Sequence, residues 1–142
     1  MTDILSLSDL DLRKEVAGAK DYTVQPLPRN AWDTVTYYVL FNPKNGYIGT
    51  RYDNPELCWN EAPKFESLIA DSFPLVSEMY DMGWNVHLDW YHDEDDGSKT
   101  LSVWCDKDDD PSKFNQVPSS SDTDPSDAIA KCYLLVRKEM SK

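Results

Sequence analysis

The chain lacks most of the features that identify a protein's compartment. Its three cysteines, Cys58, Cys105 and Cys132, are odd in number and form no CxxC pair, which indicates reduced core residues rather than a disulfide framework. No run approaches the roughly 18 apolar residues of a membrane span. The polar opening MTD does not fit a signal peptide. We therefore expect a cytoplasmic protein with no membrane partner.

Catalytic and cofactor motifs are also missing. The sequence contains no GxSxG, P-loop, GxGxxG or HExxH pattern, and its two histidines, His87 and His92, are not at helical spacing. The stretch HDEDDG suggests a calcium loop, but counting back from Gly97 places His92 at the first ligand position and Val103 at the twelfth, where the loop needs Asp and Glu. We expect no enzymatic activity, no cofactor and no dedicated metal site.

Basic residues are scarce. The 142 residues contain 14 Lys and Arg against 26 Asp and Glu, a formal net charge of -12. Such a charge repels nucleic acid and anionic membranes, so direct nucleic-acid binding is not expected. The segment 89–127 holds twelve of the acidic residues and three lysines, and therefore nine of the twelve net negative charges. This acidic, loop-rich segment carries a local concentration of negative charge that would attract a basic partner.

What the chain does contain is enough apolar residues for a core. With 40% hydrophobic and 12% aromatic residues, we expect a single domain over residues 1–142.

Three helices are predicted. The first, SLSDLDLRKEVAGAK, has Ser8 as its N-cap. The second begins at Ser72 with Pro74 in its first turn and ends at Gly83, and the third, DPSDAIAKCYLLVRKEM, begins at Asp124.

Two β-hairpins are predicted between these helices. TVTYYVLF and YIGTRY are joined by NPKNG, in which Asn45 and Gly46 can take left-handed turn conformations. WNVHLDWY and TLSVWCD are joined by the first acidic stretch. The stretches DNPELCWNEAPKF and KFNQVPSSSDT are predicted loops. The order predicts an α+β fold, an α-ββ-α-ββ-α sandwich in which helices pack on an antiparallel sheet built from the two hairpins.

Alternation in the second hairpin separates an apolar face from a mostly polar one. Leu101, Val103 and Cys105 should point inward, and Trp104 then lies on the polar face beside Ser102 and either His87 or Tyr91. In the preceding strand the inward set is Trp84, Val86, Leu88 and Trp90, and the outward set is Asn85, His87, Asp89 and Tyr91.

Three segments resemble the small phage-encoded proteins of the phage ABA-sandwich type: the opening MTDILSLSDLDLRKEVA, the unit DSFPLVSEMYDMGWNVHL and the closing DPSDAIAKCYLLV. They cover under half of the chain. The resemblance implies a phage or prophage origin, a bacterial host cytoplasm and a helix–sheet–helix sandwich. It carries over no catalytic residue. Phage accessory proteins of this size often bind host components, which is an argument by association.

Two acid-dense stretches flank the strand TLSVWCD and form the candidate partner-binding site. Carboxylates spread along loops and strand ends can occupy the Lys/Arg groove of a nucleic-acid-binding protein, and aromatic residues among them add short-range affinity. The alternative is that both stretches are solvated turns that aid solubility. The candidate residues are Tyr91, Asp93, Glu94, Asp95, Asp96, Trp104, Asp106, Asp108, Asp109 and Asp110.

The functional prediction is an inhibitor or modulator of a basic host protein, one that handles nucleic acid or serves defence against phage. A second hypothesis is a counter-defence sponge for an anionic nucleotide signal. Such a pocket needs aromatic surfaces and cations for phosphate, and Arg29, Arg51 and Lys64 lie outside the acidic segment. A homo-oligomer could bring such groups together, so both hypotheses stay open at this point.

Overall fold

The arrangement of helices and strands comes from a computed structural model that describes residues 3–28, 32, 34–106, 119–122 and 124–141. Two 3₁₀ helices, Ile4–Ser6 and Pro55–Glu61, accompany the main elements. The main elements in chain order are α1 (Asp9–Ala19), β1 (Thr23–Pro26), β2 (Tyr38–Asn42), β3 (Gly46–Tyr52), α2 (Ile69–Asp81), β4 (Asn85–His92), β5 (Lys99–Asp106), β6 (Ser119–Asp122) and α3 (Pro125–Met140).

The strands form two antiparallel three-stranded sheets, with the orders β1-β2-β3 and β4-β5-β6. The first hairpin pairs Leu40 with Ile48, and its turn ends at Gly46, whose φ is +85°. The second hairpin pairs Val86 with Cys105. The predicted α+β class and both hairpins are confirmed. The prediction that both hairpins build one sheet is wrong: they lie in two separate sheets, and each hairpin pairs with a third strand of its own.

Those two extra strands lie where the sequence indicated no strand. β1 follows directly after α1 and pairs Val24 with Leu40, and β6 falls within the predicted loop KFNQVPSSSDT and pairs with β5. The loop prediction is therefore wrong over residues 119–122. Pro26 is tolerated at the end of β1 because an edge strand leaves backbone N–H positions unpaired. The serine-rich β6 has little intrinsic strand propensity, so pairing with a distant strand determines it.

The first helix begins as predicted, and a residue in the left-handed conformation follows its C-cap. The Asp11 backbone N–H donates to Ser8 Oγ at 3.4 Å, which makes Ser8 the N-cap. After α1 the chain reverses at Asp21, which has a φ of +68°. The Tyr22 N–H donates to the Ala17 carbonyl at 3.0 Å, which closes the helix end in a Schellman motif.

The second helix begins earlier than predicted. Its N-cap is Leu68, and Ser72 lies buried inside the helix, so the prediction of a cap at Ser72 is wrong. Pro74 is inside the helix rather than in its first turn. The helix begins before Ser72 because the Leu68 carbonyl accepts hydrogen bonds from the backbone N–H groups of both Asp71 and Ser72. Its predicted end is confirmed, since Gly83 follows the C-cap with a φ of +95°.

The third helix is the centre of the fold. Asp124 caps it as predicted, because its Oδ1 accepts the Ser126 N–H at 2.9 Å, and Pro125 occupies the first helical position. α3 packs against α1, α2, β5 and β6. Its buried residues, among them Ile129, Tyr133 and Val136, join the apolar side chains of the other elements in one contiguous core.

The three cysteines are all buried, and none of them is in a disulfide bond. Cys105 on β5 and Cys132 on α3 are distant in sequence, yet their Sγ atoms lie 3.6 Å apart. The hydrogen bond between these thiols, together with burial, raises the pKa of Cys132 far above its ordinary value. Burial likewise raises the pKa of Cys58. The prediction that the cysteines are core residues is confirmed, since all three are fully buried.

The sheet β4-β5-β6 turns one face to the core and the other to solvent. On β5 the predicted inward set is buried: Leu101, Val103 and Cys105. On β4 the side chains of the same face become more exposed towards the end of the strand: Leu88 is 39% and Trp90 62% exposed. β4 is the edge strand and β5 the central one, so the helices cover the apolar face of β5 more completely.

Candidate partner-binding site

The solvent-facing side of the β4–β5 hairpin, which we call the polar face, carries the candidate site. Antiparallel register sets its side chains in four rows across the two strands. From the open end to the turn, the rows are Asn85 with Asp106, His87 with Trp104, Asp89 with Ser102, and Tyr91 with Thr100.

Trp104 is held in place from two sides. The His87 imidazole stacks on its indole with ring centroids 3.8 Å apart and an interplanar angle of 11°. The indole N–H of Trp104 donates to Asp89 Oδ2 at 3.0 Å. The predicted position of Trp104 on the polar face is confirmed, and of the two neighbours predicted for it, His87 is the one in contact. The indole therefore has a fixed orientation on a solvent-facing surface.

Asp106 belongs to this same network rather than to a free acidic stretch. Its Oδ1 accepts a hydrogen bond from Asn85 Nδ2 at 3.1 Å, and its Oδ2 lies 3.2 Å from His87 Nε2. The carboxylate is half-buried and orients the imidazole that stacks on Trp104. Asp106 thus positions Trp104 through His87, and both of its carboxylate oxygens already contact side chains of β4.

The first acidic stretch forms a closed turn between β4 and β5, which we call the acidic turn (residues 93–98). The Asp93 N–H donates to the Ser98 carbonyl and the Gly97 N–H to the Asp93 carbonyl, both at 2.9 Å. Asp93 Oδ1 accepts the Asp95 N–H and Asp96 Oδ1 accepts the Ser98 N–H. Hydrogen bonds from Ser98 lower the pKa of the Asp96 carboxyl, so this group stays ionised in more acidic solution than usual.

Two carboxylates of the acidic turn have no internal role. Glu94 and Asp95 are exposed, and their side chains make no hydrogen bond or ion pair with another described residue. Asp93 and Asp96, by contrast, hold the turn together through their side chains. The turn therefore presents Glu94 and Asp95 to solvent on a fixed backbone.

The acidic turn and Asp106 lie at opposite ends of the hairpin. His92 pairs with Lys99 beside the turn, whereas Asn85 pairs with Asp106 at the open end. Seven residues of strand at ~3.3 Å each separate these ends by ~23 Å. The predicted residues therefore do not form one cluster. They lie along a line, with Trp104 near one end and Tyr91, which is exposed, near the other.

Of the predicted site, the structure describes Tyr91, residues 93–96, Trp104 and Asp106. Asp108, Asp109 and Asp110 lie outside the described residues. The prediction omitted Asn85, His87 and Asp89, which position Trp104 and Asp106. The strand alternation placed all three on the polar face, but their contacts depend on the register between β4 and β5, which the sequence pattern did not specify.

Of the cations invoked for a nucleotide sponge, Arg51 and Lys64 line neither of two clefts of the described structure, one beside the acidic turn and one at the ends of α1 and α2. Arg51 lies over the Tyr37 ring, 5.0 Å from its centroid. Lys64 is exposed, and Arg29 lies outside the described residues. One of these clefts, of about 360 Å³, lies beside the acidic turn and is lined by Trp90, Tyr91, His92 and Lys99.

In the described part of the chain, no three His, Cys, Asp or Glu side chains converge as metal ligands. No helix of that part combines the length and apolar character that crossing a membrane requires. Comparison with protein-family models, with characterised proteins and with solved structures found no match to this chain. The geometry of the polar face is therefore the basis for a functional proposal.

Proposed function

We propose that the protein is a binding protein without enzymatic activity, and that it inhibits or modulates a basic partner through its polar face and acidic turn. The observation that carries the proposal is the fixed indole of Trp104, stacked on His87 and hydrogen-bonded to Asp89. Tryptophan is among the residues that contribute most to protein interfaces. A ring that is already oriented loses little rotamer freedom when a partner covers it.

Charge supplies the attraction at longer range. Nine of the twelve net negative charges lie in the segment 89–127, which contains the acidic turn and most of the polar face. Glu94 and Asp95 project from the acidic turn without an ion pair among the described residues. An unpaired negative surface accelerates encounter with a positive one and disfavours anionic partners. The partner surface complementary to this line of carboxylates is an elongated basic groove of the kind that holds nucleic acid.

The His87–Asp106 pair supports binding rather than catalysis in this proposal. The Nε2 atom of His87 faces Asp106, and one face of the imidazole is covered by Trp104, so the ring is held between these two residues. In this proposal, Asp106 orients the His87 imidazole, and the imidazole in turn fixes the orientation of the Trp104 indole.

The resemblance of three segments to phage ABA-sandwich proteins supports a bacterial host as the source of the partner. It suggests that a nucleic-acid-handling defence protein is the expected kind of partner. In this proposal the negative surface occupies the groove that the host protein uses for nucleic acid, so that binding is counter-defence by competition.

A pull-down from bacterial lysate with matched variants tests the proposal. We expect the wild-type protein to retain a basic nucleic-acid-binding protein that short duplex DNA displaces. Retention should fall sharply for Glu94→Gln/Asp95→Asn and for Trp104→Ala. Equal retention by these variants, or a retained protein that DNA does not displace, would overturn the proposal.

The control variant Glu15→Gln/Asp53→Asn removes the same charge from exposed positions outside the polar face. It should retain the partner as well as the wild type does. If the control loses binding to the same extent, total charge rather than the acidic turn is responsible, and the assigned surface is wrong.

A further inference from the structure

A second polar cleft, of about 260 Å³, lies where the ends of α1 and α2 meet the β2–β3 turn and α3. None of the residues that line it belongs to the polar face. Its charged and hydroxyl-bearing side chains come from four separate parts of the chain: Lys20, Asp21, Tyr22, Lys44, Glu78, Tyr133 and Arg137.

The cleft concentrates positive charge in an acidic protein. Three of the 14 Lys and Arg residues line it. Lys20 Nζ lies 2.6 Å from Glu78 Oε2, so these two charges compensate each other. Arg137 Nη2 donates to the Ala19 carbonyl at 2.9 Å, which leaves its other N–H groups available. Lys44 makes no ion pair with another described residue.

Tyr133 is only 1% exposed as a residue, but it lines the cleft. Its hydroxyl makes no hydrogen bond with another described residue and is therefore available to a ligand in the cleft. The charged groups that influence this hydroxyl are Glu78, Arg137 and Asp21, all of which line the cleft. Burial raises the pKa of Tyr133 to about 12, so at neutral pH the hydroxyl is a donor.

Asp21 occupies a backbone position that favours glycine. Its φ of +68° is the left-handed conformation that closes the Schellman motif of α1. A residue with a Cβ is strained there, and Gly is the usual choice. The Asp21 carboxylate lines the cleft and makes no hydrogen bond or ion pair with another described residue. Strain retained at one residue is a reason to look for a function of its side chain.

We propose that this cleft binds a small anion that carries hydroxyl groups beside its carboxylate or phosphate. Lys44, Arg137 and the Tyr133 hydroxyl would hold the acid group. Asp21 and the free Glu78 oxygen would accept hydrogen bonds from the ligand's hydroxyls.

The charge and size of the cleft set the class of ligand. After the Lys20–Glu78 pair is set aside, Lys44, Arg137 and Asp21 leave one net positive charge for the acid group. The volume is just below the roughly 300–1,000 Å³ of pockets that take drug-sized ligands, which points to a small metabolite. Tyr133 and Tyr22 are buried, so their ring faces are not available to stack on a nucleobase.

Calorimetric titration of the full chain tests the site with four probes: ribose 5-phosphate, gluconate, inorganic phosphate and ribose. We expect ribose 5-phosphate or gluconate to bind, and phosphate and ribose each to bind at least tenfold more weakly. Lys44→Gln and Tyr133→Phe should each weaken binding at least fivefold. The matched controls Lys64→Gln and Tyr47→Phe, exposed residues outside the cleft, should bind as the wild type does.

Several results would overturn the proposal: no binding of any probe at millimolar concentration, equal binding by the cleft variants, or equal loss in the controls. If phosphate binds as tightly as ribose 5-phosphate, recognition of hydroxyls is excluded. Tyr133→Phe has no described hydrogen bond to lose, so a folded variant is expected. Asp21→Gly should raise the melting temperature and lower the preference for ribose 5-phosphate over phosphate, and a lower melting temperature would contradict the assigned strain.

Discussion

The imidazole of His87 lies against the indole of Trp104, nearly parallel and with ring centroids 3.8 Å apart. The two residues face each other across the β4–β5 ladder, and each is also tied to a carboxylate, His87 to Asp106 and Trp104 to Asp89. Aromatic pairs add stability beyond the area that they bury. Because the four side chains restrain one another, the surface around Trp104 is organised before any partner binds.

Shortening Trp104 should change how long a complex lasts. Trp104→Ala should raise the dissociation rate from the partner protein at least tenfold, because a well-ordered aromatic anchor contributes about 2 kcal/mol or more. Trp104→Phe keeps a ring against His87 but loses the hydrogen bond to Asp89, so its effect should be smaller. Trp90→Ala, on the opposite face of β4, is the control. Surface plasmon resonance measures the rates, and an equal effect of Trp90→Ala would contradict the assigned face.

Neutralising the acidic turn should change how fast a complex forms. Glu94→Gln/Asp95→Asn leaves Asp93 and Asp96, which hold the turn, so the free energy of unfolding should change by less than ~0.5 kcal/mol. The association rate should fall at low salt and approach the wild-type rate at high salt, because exposed charges are screened over about 8 Å at physiological ionic strength. An association rate that is unchanged at low salt would indicate that the acidic turn serves solubility alone.

Alkaline solution should destabilise the protein through Tyr133. Its folded-state pKa is raised from 10.0 to about 12, so between these values the folded state keeps a proton that the unfolded state loses. This stability is fully present below pH 10 and is lost as the pH rises to 12, a change on the order of 2 kcal/mol. Urea unfolding across this range should show the loss in the wild type and a smaller one in Tyr133→Phe. Identical pH dependence in both would contradict the assignment.

The thiols should be unreactive in the folded protein. Cys58, Cys105 and Cys132 are fully buried, and the pKa values of Cys58 and Cys132 are raised, so little thiolate is present. We expect no modification by a disulfide-exchange reagent at neutral pH in native buffer, and three equivalents of reaction in denaturant. Rapid reaction of one thiol under native conditions would show that the core opens locally around that residue.

A buried ion pair joins α1 to the segment before α2. Arg13 Nε donates to Glu66 Oε1 at 3.0 Å, and the second oxygen of Glu66 is buried without a partner among the described residues. Arg13→Met should therefore destabilise the protein by about 3–5 kcal/mol, because it leaves an uncompensated buried carboxylate. The double variant Arg13→Met/Glu66→Leu should recover most of that loss in urea unfolding. A loss below ~1 kcal/mol in the single variant would show that solvent reaches Glu66.

Local signals predicted the helices and hairpins well. Ser8 and Asp124 have side chains that cap the backbone directly, and Gly83 takes a conformation that other residues avoid, so these boundaries could be read from the sequence. The start of α2 could not, because its N-cap is Leu68, which makes no side-chain cap hydrogen bond. β1 and β6 could not either, since pairing with β2 and β5 rather than their own residues makes them strands.

The candidate site was predictable in part for the same reason. Period-two alternation placed Trp104 on the polar face, because side-chain direction in a strand is a local property. That Asp106 supports His87, and that it lies a strand's length from the acidic turn, depends on how β4 and β5 align. Acidic residues that are close in sequence thus have different roles: Glu94 and Asp95 face solvent, while Asp106 is bonded within the sheet.

The central place of α3 has a consequence for biosynthesis. This helix contacts α1, α2, β5 and β6, and it comes after all of them in the chain. While α3 is still inside the ribosomal exit tunnel, the emerged part of the chain cannot bury Leu101, Val103 or Cys105 against it. A nascent chain with such uncovered apolar surface is prone to aggregate and is a substrate for chaperones. The protein therefore completes its folding only after translation of α3, when the helix closes over the sheet.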